Sequence, residues 1–419
     1  MIKYPRNLSL NRSSSVFLLL CVYGFGISLA FELGGYKSFL HAGLLPFAWM
    51  LARDRGALRG SESLWWMLGL GGILLLQGLT MAAGPIEGGH HAVLGWSLFA
   101  AILVSLVPER VGPRVDHQSL LAVITVVFVL SQVAAWFWRT QPYMDDRLLG
   151  VFSNPHYLAL YALLALGLLI YLIDYYRGWP GWLLGAVLVL DVLVLIRSRS
   201  LPAWLGLVAG TLVLLPYVPR RMAAKILALS LMLLVGVHLS GWIDLSAGMK
   251  SAMTYLASDE RWVLWREFWI LQNESAGWQW LLGHGFGQFL NDYMPVSSFH
   301  ARRLEPYFDF ASPHNYFLEW LYSHGIAGVL LLCLGYGLWL RALIRGIDAS
   351  VTRDHRRLGM LLLGLVTAQL VLGFFTMPFF ARHNLYPVSV LLGVSLRYIR
   401  SPTDFGQATP IHEAAIGWR

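Results

Sequence analysis

Apolar runs long enough to cross a bilayer recur along the chain, and no other feature restricts its fold as strongly. A helix needs roughly 17 to 25 predominantly apolar residues to cross about 30 Å of hydrocarbon. Runs of this kind, a few of them short or polar at one end, lie at 15–31, 36–52, 64–82, 92–107, 119–137, 154–173, 182–197, 201–218, 224–242, 316–340, 358–376 and 379–397. The expectation is an all-α, polytopic integral membrane protein with about twelve transmembrane helices. Composition agrees: 57% of residues are hydrophobic, 13% are charged and the mean hydropathy is +0.58, far more apolar than an average globular chain.

The connections between these runs are short except one. The segment 243–315 holds charges, prolines, glycines and tryptophans, and reads as a large external loop carrying short helices. No internal repeat or low-complexity tract divides the chain, so residues 1–419 are expected to form a single membrane domain. The first run is followed at once by another and lacks a small-residue cleavage site, which predicts a retained helix.

Lys and Arg in short loops mark the cytoplasmic side. Placing Lys3, Arg6 and Arg12 inside and alternating from there puts Arg53, Arg110, Arg177, Arg220, Arg341, Arg356 and Arg400 inside as well. Both termini are then cytoplasmic and the long loop faces outward. The formal charge of +8 is mostly this topology signal and carries no implication of nucleic acid.

The outward arginines break the rule. Arg197 and Arg199 sit in "LIRSRSLPAW", a tight turn between two spans, and Arg139, Arg147 and Arg382 also fall outside. Snorkelling to the headgroups accounts for residues such as Arg139 and Arg382. A guanidinium is planar, always charged and binds phosphate oxygens as a fork, so Arg197 and Arg199 at the membrane edge suit a lipid diphosphate. Arg147 is a further candidate of the same kind.

In the loop, "SDERWVLWREFWILQN" repeats Trp262, Trp265 and Trp269 at helical spacing around Arg261 and Arg266, as expected of a helix lying in the interface. "LLGHGFGQF" lacks a preceding strand and a following Lys-Ser or Lys-Thr, and is expected to be a turn rather than a phosphate loop. Cys21 and Cys333 lie in separate apolar runs and give no disulfide framework. His90 and His91 have no ligand partners at metal spacing, so no metal and no cofactor is expected. Asp191, inside a span, reads as a residue paired with a neighbouring Arg or His.

The succession "GVFSNPHYLALYALLAL", "LIRSRSLPAWLGLVAG", "DERWVLWREFW", "LLGHGFGQF" and "SPHNYFLEWLYSHGIAGVLLL", with a long outer loop before the last, resembles the O-antigen ligase family. The wider group also contains O-antigen polymerases and protein O-oligosaccharyltransferases. The resemblance implies a glycosyltransferase of the bacterial inner membrane with its active site toward the periplasm; arginines in place of a divalent ion and a single attack by an activated hydroxyl would make it metal-independent and inverting. It would move O-antigen from an undecaprenyl-diphosphate-linked donor to a sugar hydroxyl of the lipid A-core acceptor. It carries the essential His-Asn onto His314 and Asn315, the Ser-Arg pair onto Ser198 and Arg199, and the loop Arg-Trp segment onto Arg261 with Arg266 close by. The doubled arginine of "RSRS" leaves Arg197 and Arg199 as alternatives for the phosphate contact.

Physical chemistry agrees. A histidine is the side chain most readily tuned to take a proton near neutral pH, and arginines can stabilise a departing diphosphate. Asn315 and Glu319, four apart, could orient the acceptor or the imidazole. His383 and Asn384 form a second outward His-Asn pair, read as bystanders, with His383 the fallback base should His314 prove dispensable. Alternatives are an O-antigen polymerase of the same group, a secondary transporter, or a lipid flippase needing no base; a transporter would be expected to show repeated halves.

Overall fold

The structure, a computed structural model, describes residues 154–176, 178–198, 200–219, 260–285, 287–298, 312–376 and 382–400, with positions 121, 124–126, 128–130 and 133. The described residues form helices and connecting turns without strands. Among the described residues, four helices are long and apolar enough to cross a membrane: α1 (Pro155–Tyr175), α2 (Trp179–Ser198), α7 (Tyr316–Asp348) and α8 (Arg353–Phe375). Between them lie α3 (Leu201–Leu212), extended by a 3₁₀ turn at Leu215–Tyr217, and the loop helices α4 (Glu260–Asn273), α5 (Gly277–Leu282) and α6 (Phe289–Tyr293). α9 (Arg382–Arg400) follows α8, with a shorter apolar stretch at Pro387–Ile399. The runs before 119 and the run 224–242 lie outside the described residues, so the expected twelve spans are matched only in part.

Of the four membrane-length helices, α1 is the most deeply buried. Its Leu- and Ala-rich sequence is apolar on every side, which is the pattern of a helix buried all round. Asn154 caps its start, accepting the His156 N–H at 2.8 Å, and Pro155 occupies the first turn, where a missing N–H costs nothing. α2 packs along α1 and turns Trp179, Trp182, Leu183, Val189 and Leu190 outward, as a lipid-facing helix would. Asp191 is on the buried side of α2.

α8 crosses both α1 and α3. A Cβ on Gly206 would come within 2.6 Å of the Ala368 carbonyl, and one on Gly210 within 2.6 Å of the Gly364 carbonyl. Such close backbone approach through small residues is how helices associate in lipid, where apolar burial gives no net drive. The pairing also fixes register: α3 and α8 run antiparallel, so the start of α3 lies level with the end of α8. At the opposite end, Arg357 of α8 pairs with Asp174 of α1, and Tyr398 of α9 fills the space beside Gly346 and Gly359.

α7 departs from the uninterrupted span expected over 316–340. It is broken at Gly325, whose φ of 64° is left-handed. Breaking a helix frees the carbonyls of the preceding turn, and the glycine-rich turn supplies their partners: His284 N–H donates to the Tyr322 carbonyl at 2.7 Å and Gly285 N–H to that of Ser323 at 3.3 Å. The approach leaves no room for side chains, since a Cβ on Gly325 would sit 2.3 Å from the Leu281 carbonyl carbon and oxygen. Leu264, Phe268, Phe289, Tyr293, Leu321 and Tyr322 form a second small core that fastens α4 and α6 to this first segment of α7.

Candidate functional site

The end of the bundle where α7 begins and α8 stops gathers the chemistry. Asn315 caps α7, its Oδ1 accepting the Phe317 N–H at 2.9 Å and the Leu318 N–H at 3.2 Å. This commits the side-chain oxygen to the helix start. His314, just before the cap, has a φ of 51°, a left-handed conformation in which His, Asn and Asp are enriched among non-glycine residues. Its backbone N–H reaches Ser312 Oγ at 3.3 Å.

The His314 ring lies with Nδ1 3.1 Å from the carbonyl oxygen of Thr376, the residue capping the end of α8. A carbonyl can only accept, so Nδ1 carries the hydrogen. In the neutral ring the basic lone pair is then on Nε2. This arrangement, one ring nitrogen donating to a fixed acceptor while the other does chemistry, sets a histidine's tautomer and orientation.

Arg261 arrives at the same helix end from α4. Its Nη1 donates to the Phe375 carbonyl at 2.7 Å, a cation placed on the negative end of the α8 dipole. One turn later Trp265 donates Nε1–H to the Pro313 carbonyl at 2.9 Å, holding the residue that precedes His314. Trp265 and Phe317 both pack edge-on against Phe374. The three tryptophans of α4 thus divide: Trp262 and Trp269 are exposed, as an interfacial helix requires, and Trp265 is half-buried at the site.

Below His314 lies a buried polar network. Gln369 Nε2 donates to Tyr316 Oη at 2.6 Å and to Asn384 Oδ1 at 3.3 Å, Tyr316 Oη donates to Asn384 Oδ1, and Tyr336 Oη donates to Gln369 Oε1 at 2.9 Å. The Tyr316 ring fills the space beside Gly373. Asn384, read from sequence as a bystander, is fully buried in this network; the side chain of His383 is outside the described residues.

The other candidates distribute unevenly. Glu319 is buried in the first turn of α7, where a carboxylate complements the helix dipole. Arg266 is exposed and, at 3.6 residues per turn, lies about 140° round α4 from Arg261, so the structure does not bring the two together. Arg197 is exposed in the last turn of α2. Arg199 and Arg147 lie outside the described residues. Ser198 and Ser200, flanking Arg199 in the chain, are fully buried. The antiparallel register of α3 and α8 brings Ser200 level with Phe374, and so the "RSRS" turn is at the same end as His314 and Arg261.

A second cluster lies at the α7 break. His284 stacks on Tyr322 with ring centroids 4.1 Å apart, shares a 2.7 Å hydrogen bond between Nε2 and Ser275 Oγ, and has Nδ1 3.7 Å from Asp292 Oδ2. Tyr322 Oη donates to the same Asp292 oxygen at 2.6 Å. Burial pushes the His284 pKa down, with the Asp292 charge opposing it. Ser275 Oγ also reaches the Leu271 carbonyl at 3.0 Å, an acceptor that claims the hydroxyl hydrogen. The serine is thereby a link in the clasp and not an activated nucleophile. Among the described residues no group of three or more His, Cys, Asp and Glu side chains has metal-binding geometry.

Two residues of weight were not assigned from sequence. Thr376 acts through its backbone carbonyl, which no side-chain pattern reveals. His156 lies in the quoted "SNPHY", whose Asn, Pro and His beside a helix start echo "SPHNY"; its Nδ1 is 2.8 Å from Ser200 Oγ.

A bundle of helices this long and apolar is that of a membrane-embedded protein. Residues 184–333 match the family model described as O-antigen ligase, a segment that includes Arg197, Arg199, Arg261, Arg266, His314, Asn315 and Glu319. The match supports a function of the ligase or polymerase type, a glycosyltransferase-like chemistry. No curated protein gives a significant match to the sequence.

Proposed function

We propose that this protein is an O-antigen ligase of the bacterial inner membrane, transferring polysaccharide from undecaprenyl diphosphate to a sugar hydroxyl of lipid A-core on the periplasmic face. The observation that carries the reading is the hydrogen bond from His314 Nδ1 to the Thr376 carbonyl, which directs the basic lone pair to Nε2.

In the reaction, Nε2 of His314 takes the proton of the acceptor hydroxyl. The acceptor oxygen forms its bond to the anomeric carbon as the bond from that carbon to the diphosphate oxygen breaks, and undecaprenyl diphosphate leaves with the electron pair. A single displacement inverts the anomeric centre. The negative charge growing on the diphosphate is met by guanidinium groups, with Arg261 positioned by the α8 terminus and Arg197 and Arg199 supplied by the "RSRS" turn. Arginine supplies the charge that a divalent ion supplies in other transferases, so transfer is expected to continue in excess chelator. Asn315 serves as the cap that fixes His314, and Arg266 is assigned to the headgroup surface.

The test is reconstitution of the full chain with undecaprenyl-diphosphate-linked glycan, with and without lipid A-core. Glycan appearing on lipid A-core supports the ligase. Growth of the lipid-linked glycan in the absence of lipid A-core identifies a polymerase instead.

A further inference from the structure

We infer that His156 is a positioning residue for the diphosphate clamp, pinning the "RSRS" turn through Ser200; this rests on the reading of that turn under Proposed function. Ser200 stands at the N-cap of α3, where a serine hydroxyl ordinarily accepts a backbone N–H of the first turn. Here it makes no such bond. Its Oγ lies instead 2.8 Å from His156 Nδ1, across the interface between the starts of α1 and α3.

Both partners are held. The His156 backbone N–H is bonded to the Asn154 side chain at 2.8 Å and the next N–H, that of Tyr157, to the Asn154 carbonyl at 3.2 Å. The Ser200 carbonyl accepts from Ala203 at 3.1 Å and Trp204 at 3.3 Å, and Ser200 is fully buried. On the other side of Arg199, Ser198 Oγ donates back to the Leu195 carbonyl at 2.7 Å. The chain positions on both sides of Arg199 are therefore anchored inward, one to its own helix and one to α1. A guanidinium fork gains its advantage over a point charge only when the backbone that carries it is fixed, and the anchored Ser198 and Ser200 are what would fix it here. His156 belongs to α1, outside the segment matched to the ligase family, so the clamp recruits a residue from a neighbouring helix.

The role is tested by steady-state transfer with the full chain in detergent, varying the undecaprenyl-diphosphate-linked glycan at saturating lipid A-core. His156→Ala is expected to raise the apparent donor KM roughly five- to tenfold, the scale of one lost hydrogen bond, with little change in kcat. His156→Asn, which places a polar atom near the Nδ1 position, should restore most of the loss, and His156→Gln, which places one near Nε2, should not. Ser200→Ala should reproduce the KM effect, and the double variant should be no worse than either single one. Equal behaviour of the Asn and Gln variants, additivity of His156→Ala with Ser200→Ala, or an unchanged donor KM overturns the inference. Arg197→Lys and Arg199→Lys separate the two levels: if either raises donor KM while His156→Ala does not, positioning alone fails, and if both leave donor KM unchanged, the clamp fails and this inference with it.

Discussion

Arg261 and His314 hang from consecutive carbonyls of one helix end: Arg261 Nη1 donates to Phe375 O at 2.7 Å and His314 Nδ1 lies 3.1 Å from Thr376 O. The end of α8 is thus a shared mount for a guanidinium and an imidazole, contributed by segments far apart in the chain. A helix C-terminus suits this, because its last carbonyls have no partners within the helix and carry partial negative charge.

Because Arg261 is mounted and Arg266 is exposed on a different face of α4, the two should respond differently to the same substitution. Arg261→Lys keeps the charge but loses the fork, and transfer is expected to fall at least about tenfold, in line with roughly 1.5–3 kcal/mol for a charge-assisted hydrogen bond. Arg266→Lys should stay near wild type. Initial rates of the purified variants decide it, and equal losses in both would contradict the assignment.

Gly325 allows α7 to break and the glycine-rich turn to dock. Alanine there would carry a left-handed strain of about 1–2 kcal/mol and, in addition, drive a Cβ into the Leu281 carbonyl. Gly325→Ala is expected to lower the unfolding temperature in detergent and to raise amide exchange across α5 and α6. Exchange as slow as in the wild type would mean the close approach is absent.

The clasp around His284 should loosen in acid. Burial holds the His284 pKa below the ordinary 6.5, so the unfolded chain binds the proton more readily than the folded one. Its contribution to stability is then complete above about 6.5, the unfolded histidine value, and is lost as the pH falls through the depressed folded value. Proteolysis of the loop at residues 275–298 is expected to accelerate on acidification and to do so less in His284→Gln. Identical pH profiles for the two proteins would contradict this.

Much of the bundle was legible because lipid demands long apolar helices. The runs at 154–173, 182–197, 316–340 and 358–376 each correspond to a membrane-length helix, with boundaries displaced most for the last two, which extend to Tyr316–Asp348 and Arg353–Phe375. The break at Gly325 was not legible, since "SHGIAG" reads like the small-residue content of any membrane helix, and only the carbonyls it frees, taken up by His284 and Gly285, reveal its purpose. Trp spacing predicted α4, but not that Trp265 turns inward to hold Pro313. His314 and Arg261 were named from motifs; their common mount was hidden because it is made of backbone. Asn384 was read as a bystander because pairing across three helices leaves no local pattern, and it proved to be a buried partner of Tyr316 and Gln369.

The central claim is that His314 removes a proton through Nε2, and chemical rescue tests it most directly. Glycine accepts the left-handed backbone at this position without strain, so His314→Gly removes the base while sparing the turn. The account predicts that donor binding persists, that transfer to lipid A-core falls by roughly 10² to 10⁴, and that added imidazole restores part of the rate in proportion to its concentration. Transfer by His314→Gly at a near wild-type rate without imidazole would contradict it.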